Sequence, residues 1–168
     1  MLRNKNPQNQ ETFLFIGKIT TGILVLAWLA VIYAFSAQPA GQSSQASGSV
    51  AYKFAEWQNS FFRLDKTEAE LSAQAESMQL IVRKAAHMGE YALLAVLLCL
   101  HFSCYAWNRR RLALSALAFT AGYAATDEFH QLFVPGRAGR LSDVCIDSLG
   151  GALGIAFFLL IMRLGRKR

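Results

Sequence analysis

The sequence predicts an all-α integral membrane protein, with four transmembrane helices and an amphipathic helical segment outside the cytoplasm. Hydrophobic residues make up 54% of the 168 residues and charged residues only 17%, whereas an ordinary soluble domain carries about 25% charged residues. The charges lie in clusters that are separated by long, almost uncharged stretches. Because a helix needs roughly 20 mostly apolar residues to cross about 30 Å of hydrocarbon, this pattern is typical of a membrane protein with several spans.

Four stretches are long and apolar enough to be transmembrane helices. The spans are predicted at about residues 16–35, 87–107, 112–134 and 141–162, within one domain over residues 1–168. The first stretch is longer than the apolar region of a cleaved signal peptide, and no small-residue cleavage pattern follows it, so it is predicted to remain as a span. Residues 36–86 are then predicted to form an extracytoplasmic loop.

The positive charges indicate the orientation of the spans, because cytoplasmic flanks of transmembrane helices carry an excess of Lys and Arg. With four spans, the amino-terminal flank, the 108–111 connection and the carboxyl-terminal tail fall on the same side. That side holds ten of the 17 basic residues and a single acidic residue, Glu11. Both termini are therefore predicted to be cytoplasmic. The same distribution explains the basic isoelectric point, because positive charge at the cytoplasmic helix ends sets the topology and attracts anionic lipid headgroups. Membrane lipids are therefore predicted partners, and nucleic acid is not.

Part of the extracytoplasmic loop has the period of an amphipathic helix. After a stretch rich in Ser and Gln, the residues Phe54, Trp57, Phe61 and Leu64 recur with a spacing that places them on one helical face. Two placements fit this pattern. The helix lies on the outer leaflet with its aromatic face at headgroup level, or it folds onto the ends of the spans.

The predicted second span begins with a group of polar residues: Arg83, Lys84, His87, Glu90 and Tyr91. Residues three and four apart share a helix face, so His87 shares one face with Lys84 and Tyr91. It shares an overlapping face with Arg83 and Glu90. A position at the membrane surface explains the cations and the tyrosine, but it does not explain the His-Glu pair.

The end of the predicted third span carries a second polar group: Asp127, Glu128, His130 and Gln131. Counting from the start of that span, Asp127 is predicted to lie about 24 Å along the helix, just beneath the outer edge of the hydrocarbon. The alternative is that the helix ends at Thr126 and that these side chains belong to a solvated loop.

A Pro-Gly turn and the start of the predicted fourth span supply the remaining candidates. Arg137 follows the turn, and Asp143 and Asp147 lie one helical turn apart. A lone carboxylate at the depth of Asp147 costs about 3 kcal/mol, so Asp147 is predicted to pair with a cation. Arg137, Lys84 and His87 are available at that level, and the pair of Asp147 with Arg137 is the specific prediction. Gly150 and Gly154 form a G-x-x-x-G pair, which lets a second helix approach closely.

The predicted topology brings all of these polar groups to one membrane face, although they come from different parts of the chain. A cluster of ionisable groups inside a membrane is typical of a functional site, and the alternative is a structural ion network that holds the helices together. His and carboxylate side chains can hold a divalent ion, but no metal-ligand spacing such as H-E-x-x-H occurs. Neither a metal nor another cofactor is therefore predicted.

In these residues the sequence resembles the VanZ-like membrane proteins of bacteria. The resemblance rests on the ordered blocks Phe35-Ser36-Ala37-Gln38-Pro39, Arg83-Lys84 with His87, Glu90 and Tyr91, Asp127-Glu128 with His130-Gln131, Pro135-Gly136-Arg137, and Asp143 with Asp147 and Gly150. It implies a multi-pass protein of the bacterial plasma membrane and a setting in the cell envelope. The founding member of that family is associated with reduced susceptibility to the glycopeptide teicoplanin, but the resemblance implies no biochemical activity.

Three functions fit these residues. The first is a non-enzymatic envelope protein that binds a lipid, a lipid-linked intermediate or an amphiphilic glycopeptide at the outer leaflet. The second is an intramembrane enzyme that acts on a lipid phosphate or glycan carrier. In that case His87 and His130 serve as acid or base, and Arg83, Lys84 and Arg137 bind phosphate. The third, a small transporter, is disfavoured because the chain has no inverted repeat. The sequence predicts no oligomeric state.

Overall fold

The chain folds into helices throughout the part that the computed structural model describes, residues 7–165, with side chains described from residue 10 onwards. Within that range it forms five α-helices and no strand, which confirms the predicted all-α class. The helices are α1 (Pro7–Ser36), α2 (Ala40–Phe62), α3 (Glu68–Ser103), α4 (Arg109–Gln131) and α5 (Leu141–Gly165). The terminal basic residues that support the predicted orientation, Arg3, Lys5, Arg166, Lys167 and Arg168, lie outside the described residues.

α3 is a single helix of 36 residues, about 54 Å long at about 1.5 Å per residue. It starts at a capping box, in which the carboxylate of Glu70 accepts a hydrogen bond from the backbone N–H of Thr67 at 2.8 Å. It ends at Ser103, so the predicted span 87–107 ended too late, because Ala106 has a φ of 54° and cannot continue a right-handed helix. Since hydrocarbon is about 30 Å thick, α3 is long enough to extend well beyond it.

α4 continues to Gln131, so the alternative end at Thr126 is wrong. It begins after Asn108, whose side-chain oxygen accepts a hydrogen bond from a backbone N–H in the first turn at 2.8 Å, as a helix cap does. The last turn buries Asp127 instead of exposing it to solvent. The predicted span 112–134 extended three residues too far, because the chain turns after the end of this helix.

Hydrogen bonds between α1 and α3 show that these helices are antiparallel. Near the end of α3, His101 Nδ1 lies 3.0 Å from the hydroxyl of Thr21. Nearer the middle of α3, the carbonyl of Glu90 accepts a hydrogen bond from the indole N–H of Trp28 at 2.9 Å. As the chain proceeds along α1, its contacts therefore move back along α3.

Small residues allow α5 to lie directly against α3. A Cβ atom added to Gly150 would collide with the backbone of Met88, and one added to Gly154 would collide with the backbone of Ala92. The close approach predicted for the G-x-x-x-G pair is therefore confirmed, and the order of the contacts shows that α5 is parallel to α3. α4 fits beside them, because a Cβ on Gly151 would lie 2.6 Å from Thr120 Cγ2.

These contacts bring the ends of three helices to the same end of the bundle, beside the middle of α3. α1 and α4 finish there. The Tyr123 hydroxyl donates to the carbonyl of Leu29 at 2.8 Å, and farther along both helices the ring of His130 lies 4.9 Å from that of Tyr33, so α1 and α4 run in the same direction. α5 begins there, and α3 passes through on its way to the opposite end. The predicted polar groups at the ends of α4 and α5 and on α3 therefore lie at the same level of the bundle.

α2 packs along the amino-terminal half of α3, and the two form an antiparallel hairpin. Near the start of α2, the carbonyl of Ser44 accepts a hydrogen bond from the side chain of Gln79 at 2.5 Å. Near its end, Gln58 accepts one from Gln74 at 2.8 Å. Of the two predicted placements, the structure thus shows a segment that folds onto a helix of the bundle.

The aromatic face of α2 points away from α3. Phe54, Trp57 and Phe61 remain exposed. The ring centroids are 5.7 Å apart between Phe54 and Trp57, and 5.3 Å apart between Trp57 and Phe61. The predicted shared face is therefore confirmed for these three aromatic residues, which pack on one another. It does not include Leu64 as predicted, because α2 ends at Phe62 and Arg63 adopts a left-handed conformation.

Within the described residues, three helices are long and apolar enough to cross a membrane: Gln10–Ser36, Glu68–Ser103 and Leu141–Gly165. α4 is not among them, although it was predicted as a span. It starts with three arginines and buries Thr120, Asp127, Glu128 and Gln131 among its partners. Its polar residues face the other helices, so its average composition is less apolar than that of a helix surrounded by lipid on most sides.

Candidate functional site

A cavity of about 250 Å³ opens where α3, α4, α5 and the loop between α4 and α5 meet. Eight of the twelve predicted site residues line it: Arg83, Lys84, His87, Glu128, Gln131, Arg137, Asp143 and Asp147. Apolar side chains complete the wall, including Leu80, which is 59% exposed, and Ile146. The cavity therefore combines ionisable groups with an apolar border, a composition suited to an amphiphilic ligand.

An ion pair joins α3 to α5 at the edge of the cavity. The ammonium of Lys84 lies 2.7 Å from a carboxylate oxygen of Asp143, and about a third of each side chain is exposed. Across the cavity, the backbone N–H of Arg140 donates to the carboxylate of Glu128 at 2.8 Å. These two contacts satisfy one cation and two carboxylates of the cavity wall.

Arg137 does not pair with Asp147 as the sequence predicted. Its guanidinium donates to the carbonyl oxygens of Gln38 at 2.9 Å and Phe35 at 3.1 Å. Phe35 lies in the last turn of α1, where carbonyl groups have no partner within the helix, so Arg137 caps α1 and holds the connection to α2. The prediction was wrong because backbone carbonyl groups, which sequence does not mark, satisfy this cation.

Arg137 nevertheless lines the cavity, and a second guanidinium lies near it. Burial lowers the pKa of Arg137 and the charge of Arg83 lowers it further, whereas nearby carboxylates raise it. Arg83 donates to the hydroxyl of Ser44 at 2.7 Å, and its Nε atom is buried without a partner among the described residues. Both arginines thus bond to neutral oxygen atoms, which leaves their positive charge available to an anion.

Asp147 is the most buried acidic residue of the cavity wall. Its side chain is 1% exposed, and neither carboxylate oxygen has a hydrogen-bond partner within residues 10–165. On α5 it lies one turn farther from the helix start than Asp143. The cavity therefore has an unsatisfied carboxylate at its inner end and guanidinium groups nearer its mouth.

Unsatisfied polar atoms continue around the cavity. Within the described residues, nine buried side-chain atoms lack a hydrogen-bond partner, and they belong to Ser36, Arg83, His87, Glu90, Tyr91, Thr120, His130 and Asp147. Seven of these residues lie in the blocks that carry the resemblance noted in the sequence. Buried polar groups in native proteins are almost always satisfied by protein or by ordered molecules. This concentration therefore indicates a place where water or a ligand completes the hydrogen bonding.

The other four predicted residues surround the cavity without lining it. Asp127 is 4% exposed and accepts a hydrogen bond from Gln131 at 3.2 Å. His130 turns towards α1, where its ring lies 4.9 Å from that of Tyr33. Glu90 follows His87 by one turn of α3, and one of its carboxylate oxygens lies 3.9 Å from Nδ1 of that histidine. The remaining residue, Tyr91, is fully buried. The predicted convergence thus divides into a cavity wall and a buried layer beside it.

Two residues of the site were not among the sequence candidates. Arg140 lines the cavity with an exposed side chain, and the only signal for it was its place directly before α5. Ser36 is 1% exposed with its hydroxyl unsatisfied, and it lies within one of the blocks that carry the resemblance. Among the described residues, no group of three or more His, Cys, Asp or Glu side chains is arranged to hold a metal ion.

The family model described as VanZ/LLP1 matches residues 21–162. The chain belongs to the VanZ/LLP1 family. The match confirms the resemblance seen in the sequence, and it spans every residue that lines the cavity, from Ala40 to Asp147. No curated protein and no solved structure matches the chain.

Proposed function

We propose that this VanZ/LLP1 chain is a four-span plasma-membrane protein of the bacterial envelope, which binds the phosphate-bearing headgroup of a lipid or lipid-linked intermediate at the outer leaflet. The observation that carries the proposal is the cavity, where the guanidinium groups of Arg83, Arg137 and Arg140 have no carboxylate partner within the described residues. Planar guanidinium groups suit phosphate oxygens.

The helix directions support the proposed topology. α4 lies between helices that qualify as spans and shares the direction of α1. If α1, α3, α4 and α5 all cross the membrane, the arginines at 109–111 and Arg163 fall on one side, which the positive-inside rule assigns to the cytoplasm. The cavity and the α2–α3 hairpin then face the outside. α4 tolerates its polar face because its neighbours, and not lipid, surround it.

The apolar border of the cavity favours a lipid over a free phosphate. Leu80 lines the cavity, and the adjacent Ile81 is 67% exposed. Leu141, at the start of α5, is 86% exposed. Exposed apolar side chains beside a cationic cavity allow acyl chains to remain in the membrane while the headgroup enters the protein.

The test compares two lipids that differ only in the phosphate. The full chain is purified in mild detergent and offered phosphatidic acid or diacylglycerol with the same acyl chains, and retention is measured by native mass spectrometry. We expect phosphatidic acid to be retained at least about tenfold better than diacylglycerol, because the loss of one charge-assisted hydrogen bond weakens binding by about that factor. Equal retention of the two lipids would contradict the proposal.

Variants then locate the binding. Arg140→Gln should weaken phosphatidic acid retention by about tenfold, because it removes one cation from the cavity mouth. Lys53→Gln is the matched control, since Lys53 is exposed on α2 and does not line the cavity. It should bind as the wild type does. An equal loss of phosphatidic acid retention in both variants would show a general effect of surface charge and would contradict binding at the cavity.

A second candidate function is an intramembrane enzyme that acts on the same class of lipid. The observation that favours it is His87, which lines the cavity with a buried, unsatisfied Nδ1 atom and can act as an acid or base. Release of inorganic phosphate from phosphatidic acid by the purified chain, abolished in His87→Gln, would support it. No phosphate release under conditions where the lipid binds would leave binding as the function.

An amphiphilic glycopeptide is a further candidate occupant. Teicoplanin carries an acyl chain, so it meets the same requirement for an apolar border beside a polar cavity. If it occupies the site, it should displace phosphatidic acid from the wild-type chain in the retention assay. Retention that is unchanged at saturating teicoplanin would exclude the drug as a ligand of this cavity.

A further inference from the structure

The carboxylate of Asp147 lies at the inner end of the cavity without a partner. Its side chain is 1% exposed and lines the cavity, and neither oxygen accepts a hydrogen bond within the described residues. A charge buried away from water is unfavourable unless it is paired and hydrogen-bonded. The partner of Asp147 must therefore be a proton, a water molecule or a group of the ligand.

No lysine or arginine of the cavity wall bonds to Asp147. Lys84 pairs with Asp143 at 2.7 Å. Arg137 binds two backbone carbonyl groups, and Arg83 binds a serine hydroxyl. The exposed side chain of Arg140 lies at the mouth. Positive charge thus lies towards the mouth and an unpaired carboxylate lies at the inner end.

We propose that the ligand headgroup is a zwitterion, in which a phosphate is joined by a short linker to an ammonium group, as in phosphoethanolamine. The phosphate binds at the guanidinium groups of Arg137 and Arg140, and the ammonium binds Asp147. An ammonium supplies three hydrogen-bond donors and a positive charge, and both carboxylate oxygens of Asp147 lack a hydrogen-bond partner among the described residues. This inference rests on the proposed function and adds the chemical class of the ligand.

The first test changes only the ligand. Wild-type protein is offered phosphatidylethanolamine or its N-acetylated form with the same acyl chains, which keeps the phosphate but removes the ammonium charge. We expect the unmodified lipid to be retained about tenfold better, because a charge-assisted hydrogen bond is lost on acetylation. Equal retention of the two lipids would overturn the zwitterion proposal, and no variant that fails to fold can obscure the result.

The second test changes the residue. Asp147→Asn should reduce that preference to within about twofold, while phosphatidic acid is still retained over diacylglycerol. Glu56→Gln, an exposed change on α2, should keep the full preference. A preference that persists in Asp147→Asn would remove Asp147 from the ammonium site.

The two proposals fail in different ways. If the wild type does not distinguish phosphatidic acid from diacylglycerol, the proposed function is wrong. If it distinguishes that pair but not phosphatidylethanolamine from its N-acetylated form, the phosphate site stands and only the ammonium site is wrong.

Discussion

The guanidinium of Arg137 donates a hydrogen bond to the carbonyl of Phe35, 3.1 Å away and 102 residues earlier in the chain. A second bond to the carbonyl of Gln38, at 2.9 Å, uses the Nε atom of the same side chain. The loop between α4 and α5 is thereby tied to the end of α1. This contact explains why two distant blocks of the family resemblance, one after α1 and one after α4, belong to a single structural unit.

Arg137→Lys should loosen the end of α1, because an ammonium cannot reproduce two bonds that leave a planar guanidinium in different directions. We expect the free energy of unfolding in detergent to fall by about 1.5–3 kcal/mol. Hydrogen exchange at the backbone amides of Ala37, Gln38, Ala40 and Gly41 should become faster. Arg140→Lys is the matched control and should leave that exchange unchanged. Unchanged exchange in Arg137→Lys would show that the contact does not hold this connection.

Gly154→Ala should destabilise the bundle, because the new methyl group would collide with the backbone of Ala92. Overpacking of this kind costs about 1–3 kcal/mol, and unfolding in detergent measures it. Gly122→Ala is the control, since a Cβ at Gly122 meets nothing within 4 Å. It should be neutral or stabilising by up to about 1 kcal/mol, because alanine favours helix more than glycine does. Equal effects at the two positions would refute the close α3–α5 contact.

The sequence was sufficient to predict the position of the polar cluster. Ionisable residues inside apolar spans are rare and face other helices, so counting along the spans brought His87, Glu128 and Asp147 to one level, and all three line the cavity. The sequence was not sufficient to predict the partners of Arg137, because it bonds to backbone carbonyl groups that every residue possesses. Partners of this kind depend on how distant loops pack, which no local pattern records.

The length of α3 was missed for a different reason. Two adjacent cations, Arg83 and Lys84, are typical of a membrane surface, and we expected the span to start just after them. A change of environment need not end a helix, since residues 68–86 contain neither Pro nor Gly and the capping signal lies at Thr67. The charges at Arg83 and Lys84 therefore do not mark a helix start, and the capping box shows where the helix begins.

Labelling of single cysteines should show whether α4 crosses the membrane. On a background without the native cysteines, Ala46→Cys and Ala138→Cys should react with an impermeant maleimide in intact cells, because both positions are exposed at the end of the bundle assigned to the outside. Arg110→Cys should react only after permeabilisation. If positions 110 and 138 behave alike, α4 does not cross and the four-span topology fails.

The ion pair between Lys84 and Asp143 should contribute little to stability, although it lies beside the cavity. Its nitrogen and oxygen are 2.7 Å apart, but the two side chains are 35% and 31% exposed. Ion pairs that reach solvent couple by about 0.2–1 kcal/mol. A double-mutant cycle of Lys84→Gln and Asp143→Asn, measured by unfolding in detergent, should give a coupling in that range, and high salt should reduce it.

Lys84→Gln combined with Glu56→Gln, on exposed α2 surface, should be additive within about 0.5 kcal/mol. A coupling above about 3 kcal/mol would mean that the pair is buried in the membrane-embedded protein, which would place the cavity mouth deeper than the topology proposed above.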